Sequence, residues 1–86
     1  MDRANLRAAV IDTLRVIAPE VEEGELRDDR PLREQVDLDS MDWLNFIIGL
    51  HERLDVDIPE ADYRQLASLN AVVDYLAARL QGAPSE

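Results

Sequence analysis

Ser40, His51 and two pairs of alternating acids, Asp37/Asp39 and Asp55/Asp57, are the side chains whose types and spacing could do chemistry. A hydrolytic triad needs serine, histidine and an acid in mutual contact. Ser40 and His51 fall on one helical segment, roughly 16 Å apart along its axis, which excludes a direct hydrogen bond. His51 then reads as a solvated or rim residue, or as a docking residue that can protonate near neutral pH. The alternating acids resemble the start of a calcium loop, but the frame fails. Counted from Asp37, Met41 stands where an oxygen ligand is needed, Asp42 where glycine is needed and Ile48 where the closing glutamate is needed. Counted from Asp55, the same places hold Pro59, Glu60 and Leu66. With no cysteine there is no disulfide, thiolate metal site or cysteine nucleophile. No catalytic or metal-ligating set remains.

Ser40 itself remains. It is expected at the first position of a helix, where backbone N–H groups lack partners and the dipole is positive, so a phosphate on its hydroxyl would be favoured. Asp39 and Asp42 would repel that phosphate. They make better sense as contacts for a cationic enzyme. On the residues alone, a serine here is most often an ordinary helix cap.

The elements that position Ser40 are helical. Leu6, Val10, Leu14 and Ile17 recur at helical spacing after the capping Asp2 and before Pro19, predicting a helix over 3–18. Residues 19–39 form a long loop broken by Pro19, Gly24 and Pro31, which Val21, Leu26, Leu32, Val36 and Leu38 can tie to the core. Asp39 caps a helix over 40–54, with Asp42 placed as in a capping box. A short helix is expected over 60–66. Ser68 caps a last helix, 69–81, on Leu69, Val72, Val73, Leu76, Ala77 and Leu80, ended by Gly82 and Pro84. The expected fold is all-α, a small bundle of three main helices plus one short helix, in a single domain over 1–86.

Composition narrows the partners. Nineteen acids against nine arginines, with no lysine, give a formal charge of −10. That surface repels nucleic acid and anionic membranes and attracts basic patches on proteins, though it also serves simple solubility. No apolar run approaches a membrane span, and the polar residues Met1 to Asn5 give no secretory signal. A cytoplasmic monomer is expected.

The 40–54 helix has a surplus of apolar surface. At 100° per residue, Trp43, Phe46, Ile47, Leu50 and Leu54 share one arc, sufficient for a core stripe. Met41, Leu44 and Ile48 share a second, with His51 beside them. Either the helix is wholly buried, which a chain this short rarely achieves, or the second arc docks a partner offering an apolar groove rimmed by arginine or lysine. Trp43, Tyr63 and Tyr75 read as packing or rim residues.

Asp39-Ser40-Met41 opening a helix, after a long loop and before Leu54-Asp55-Val56-Asp57-Ile58-Pro59, resembles the acyl carrier protein family. The likeness continues through Asp62, Leu66, Ser68-Leu69 and Val73-Asp74-Tyr75-Leu76. It implies that Ser40 bears 4′-phosphopantetheine. It also places Met41, Asp42, Leu44, Ile48 and Glu52 on the recognition helix, with Asp39 as the acid before the serine. The implied partners are a phosphopantetheinyl transferase, an acyl- or aminoacyl-loading ligase, and acyltransferases or synthases. Two departures, Asp37 where the family often has glycine and a less acidic recognition helix (Asn45, His51, Arg53), imply a specialised carrier with dedicated enzymes. The Leu38-Asp39-Ser40-Met41 wording also resembles D-alanyl carriers, so an aminoacyl cargo stays open, as does a helical adaptor that uses the second arc alone.

Overall fold

The computed structural model describes residues 2–82. Its elements are α1 (Arg3–Ile17), a 3₁₀ turn (Glu23–Glu25), α2 (Leu32–Gln35), α3 (Ser40–Leu54), a 3₁₀ helix (Glu60–Gln65) and α4 (Leu69–Gly82). The three long helices match the expected spans to within a residue. Each expected cap is made: the Asp2 carboxylate accepts from Asn5 N–H at 2.8 Å, Asp39 from Asp42 N–H at 2.8 Å, and Ser68 Oγ from Ala71 N–H at 3.1 Å. The capping box at α3 is half formed, since among the described residues no bond returns from the Asp42 side chain to Asp39 N–H. Pro84, expected to help end the last helix, lies outside the described residues.

One core cluster joins the three long helices and α2. Leu6, Val10 and Leu14 of α1, Phe46, Ile47 and Leu50 of α3, and Leu69, Val72, Val73 and Leu76 of α4 are buried together. α1 packs against both α3 and α4. Trp43 sits at the edge of this core, half-buried, 5.4 Å from the Phe46 ring and beneath the Arg33 guanidinium. The expected core arc of α3 is therefore fully buried over Phe46, Ile47 and Leu50 and partly so at Trp43 and Leu54.

The 19–39 segment is more structured than the expected loop. Val21, Leu32, Val36 and Leu38 are buried, with Leu26 packed against them. Pro31 fixes an extended backbone just before α2, and Leu32, wholly buried, anchors that single turn. Gln35 then brackets the loop: its oxygen accepts from Arg27 N–H, and its amide donates to the carbonyls of Arg27 and Arg30. Backbone bonds from Leu32 N–H to Ala67 O (2.8 Å) and from Asn70 N–H to Asp28 O (3.0 Å) tie the segment to the start of α4.

Arg7 clamps the same segment to α1. Its guanidinium grips Asp28 through two hydrogen bonds, 2.9 and 2.8 Å, and reaches Glu23 at 3.0 Å. The bonds from Arg7, assisted by its charge, hold the Asp28 carboxyl below the usual carboxylate range despite some burial. Because the folded-state value lies below the unfolded one, this stabilisation is complete above about pH 4 and is lost as pH falls further. Asp28→Asn is expected to cost about 1 kcal/mol at pH 7, discounted for partial exposure, and progressively less below about pH 4. The check is the difference between the two proteins' urea midpoints across pH. Each raw curve also contains relief of repulsion among the other carboxylates as they protonate, and the difference removes it.

Gly49 permits the close crossing of α1 and α3. A Cβ there would lie 2.8 Å from Thr13 Cγ2. Thr13 is buried, and its hydroxyl donates to Ala9 O at 2.8 Å, so rotating its methyl away costs that bond. Gly49→Ala is therefore expected to destabilise by about 1 kcal/mol, although alanine is the better helix former. In a Thr13→Ser background, which keeps the hydroxyl and removes the methyl, the same change should stabilise by about 0.5–1 kcal/mol. Denaturant midpoints of the four proteins decide it.

Candidate functional site

Ser40 is the first residue of α3 and is solvent-exposed. The Asp39 side chain occupies the Asp42 N–H, and Trp43 N–H bonds Asp39 O at 2.9 Å. The Ser40 and Met41 amides at this helix start have no intrahelical partner. Among the described residues the Ser40 hydroxyl makes no hydrogen bond. It is thus a free nucleophilic oxygen at the positive end of a fifteen-residue helix, open to an approaching enzyme. A phosphate ester formed there would meet unpaired N–H groups, and nothing buried would have to move.

The second arc of α3 faces outward. Met41 is 68% exposed, and Leu44 and Ile48 are each 43% exposed, so the helix is not the wholly buried one considered as an alternative. Asp42 is half-buried beside this stripe, while Asp39 and Glu52 are exposed. The structure therefore gathers Asp39, Ser40, Met41, Asp42, Leu44, Ile48 and Glu52 on one helix start and one outward face.

His51 is brought to a different feature. Its Nδ1 lies 2.8 Å from Val56 O, a carbonyl that only accepts, so the ring donates through Nδ1–H. Asp57 stands 3.9 Å from the same nitrogen. Asp55, in a left-handed conformation (φ 54°), makes the reversal that brings Val56 back to the ring. His51 thus ties the end of α3 to the following connection, in addition to sitting at the stripe's edge. It also lines a cleft of about 310 Å³ between α3 and residues 57–63, walled by Ile47, Ile48, Ile58, Pro59 and Tyr63 with Asp57 at its rim. Helical periodicity did not signal this cleft, because half its wall comes from a segment with no long helix.

A family model described as the phosphopantetheine attachment site matches residues 4–76. The chain belongs to the phosphopantetheine-attachment family of carrier proteins. Members hold 4′-phosphopantetheine covalently on a serine and act as carriers, not catalysts. Among its relatives are the acyl carrier protein of Campylobacter lari, 28% identical over 71 residues covering 79% of this chain and 92% of that protein, and the mitochondrial acyl carrier protein of Saccharomyces cerevisiae, 26% identical over 72 residues covering 80% of this chain. The match spans 58% of the mitochondrial protein's length. An acyl carrier protein structure from Enterococcus faecalis has the same fold, with a TM-score of 0.72 at 18% identity over 92% of this chain and 99% of that one. The carrier fold and its helix start are consistent with the group: the exposed, unbonded Ser40 hydroxyl leaves room for it. No helix among the described residues is long and apolar enough to cross a membrane.

Proposed function

We propose that this chain is a specialised acyl carrier whose 4′-phosphopantetheine is attached to Ser40. One observation carries the assignment to this serine. The matched region holds two serines, Ser40 and Ser68. The Ser68 hydroxyl is half-buried and engaged as the α4 cap, while that of Ser40 is exposed and unbonded. When bound, the group supplies a terminal thiol that carries cargo as a thioester. The chain's own residues orient and present. Asp39 caps α3 and fixes the helix start from which Ser40 projects. Met41, Leu44 and Ile48 offer an apolar strip to partner enzymes, with Asp39, Asp42 and Glu52 attracting a basic rim around the partner's groove. Ile47, Ile58, Pro59 and Tyr63 offer an apolar cleft beside α3 in which part of an acyl group can leave water.

The partners in this reading are a phosphopantetheinyl transferase, a loading ligase and acyltransferases or synthases, and the carrier is a cytoplasmic monomer of one domain. The exposed α3 stripe favours one further reading, a helical adaptor that uses Met41, Leu44 and Ile48 without an arm. The two separate on where an added group lands. Peptide mapping after treatment with coenzyme A and a broad-specificity transferase should place the modification on the peptide containing Ser40. Modification confined to Ser68 would refute the assignment.

A further inference from the structure

The 3₁₀ helix Glu60–Gln65 differs from its neighbours in how it is held. None of its residues is buried, whereas α1, α3 and α4 each bury several. Tyr63 rests half-buried against the core, and a polar cluster fastens the segment to α4. The Tyr75 hydroxyl donates to Asp62 Oδ2 at 2.5 Å, and Arg79 donates to the same oxygen at 2.7 Å. The Arg79 guanidinium also stacks 4.9 Å over the Tyr75 ring, which keeps the three groups in register. Burial, aided by the Asp62 carboxylate, raises the Tyr75 phenol above its usual range, so the hydroxyl remains a donor throughout the neutral range. Asp62 is the least exposed carboxylate among the ion pairs, at 21% for its side chain. Its backbone N–H bonds Pro59 O, and its chain neighbour is Tyr63. Pro59, Tyr63 and Ile58 form the wall of the α3 cleft opposite Ile47 and Ile48.

We propose that Asp62, Tyr75 and Arg79 form a latch that sets the opening of this cleft, with Asp62 as its positioning residue. The proposal deepens the carrier reading, on which the cleft's use for cargo rests. With no fully buried side chain and only Tyr63 resting on the core, the segment sits at the low-stability end of the fold, and so opens locally before α1 or α3 does. Asp62 is the group through which both α4 donors act on that segment. Releasing the latch lets Ile58, Pro59 and Tyr63 swing from α3 together, because they precede or belong to the released turn. The cleft then widens as Ile58 and Tyr63 leave the edge of the core, while the fully buried residues beneath stay packed.

The test uses the full, unmodified chain, so it is independent of whether Ser40 carries an arm. Asp62→Ala and the milder Tyr75→Phe are compared with wild type by amide hydrogen exchange and by binding of the neutral apolar dye N-phenylnaphthylamine. Exchange at Asp62 and Leu66, whose N–H groups close the turn on Pro59 O and Tyr63 O, should rise about tenfold in Asp62→Ala and less in Tyr75→Phe. Exchange at Val10 and Leu14 in α1 should stay unchanged, and dye binding should increase in the same order. Arg79→Lys, which keeps a cation for Asp62, should leave both readouts nearer wild type than Arg79→Gln. Unchanged exchange at Asp62 and Leu66, or an equal rise there and in α1, would overturn the latch. Neither result bears on attachment at Ser40, which peptide mapping decides by itself.

Discussion

Ser40→Ala is expected to lose all cargo loading and transfer while melting at the temperature of the parent. The carrier account makes this effect all-or-none, because the hydroxyl oxygen is the atom through which the arm is joined, and no neighbouring nucleophile replaces it. Cysteine and lysine are absent from the chain. Ser68, within the matched region, is committed to capping α4. Folding should be indifferent to the change. The α3 cap is supplied by Asp39, the Ser40 side chain is exposed and unbonded, and alanine is the stronger helix former, so any stability change should stay within about 0.5 kcal/mol. Thermal melting and a transfer assay with the same preparations check both halves. Transfer retained by a folded Ser40→Ala would remove the carrier reading.

Leu44→Arg has the next largest expected effect and acts on docking instead of attachment. Leu44 lies at the centre of the exposed α3 stripe, 43% exposed, so an arginine there can reach water and leave the core intact. It removes apolar contact and sets a cation against the basic rim that Asp39, Asp42 and Glu52 would otherwise attract. A buried anchor at an interface centre typically contributes 2 kcal/mol or more, so kcat/KM of partner enzymes should fall on the order of 30- to 100-fold. Ala8→Arg, on an exposed position of α1, adds the same charge away from the stripe and should change transfer little. Equal losses from both substitutions would mean that net charge governs the encounter and that the stripe is not the docking surface.

What could be read from the sequence was whatever repeats at short range. α1, α3 and α4 declare themselves through apolar residues three and four apart, and Asp2, Asp39 and Ser68 announce the starts they cap. The surplus arc of α3 also follows from counting around a wheel, and its exposure at Met41, Leu44 and Ile48 matches that count. Long-range polar partnerships carry no such period. Arg7 meets Asp28 twenty-one residues away, and Arg79 meets Asp62 seventeen away, with nothing between them to mark either pair. α2 was missed because one turn is too short to show a stripe. The approach of Gly49 to Thr13 depends on how two helices cross, which neither helix records by itself. His51 illustrates a mixed case: its place at the rim was legible, but its bond to Val56 O depends on the left-handed Asp55 that turns the chain back.

Intact-mass spectrometry of the purified, folded protein decides whether this chain accepts a phosphopantetheine arm. After incubation with coenzyme A and a broad-specificity phosphopantetheinyl transferase, the mass should rise by a single phosphopantetheine group, and Ser40→Ala should show no rise. An unchanged mass with several transferases, on protein shown by circular dichroism to be helical, would contradict the account and leave the apolar stripe of α3 as an adaptor surface.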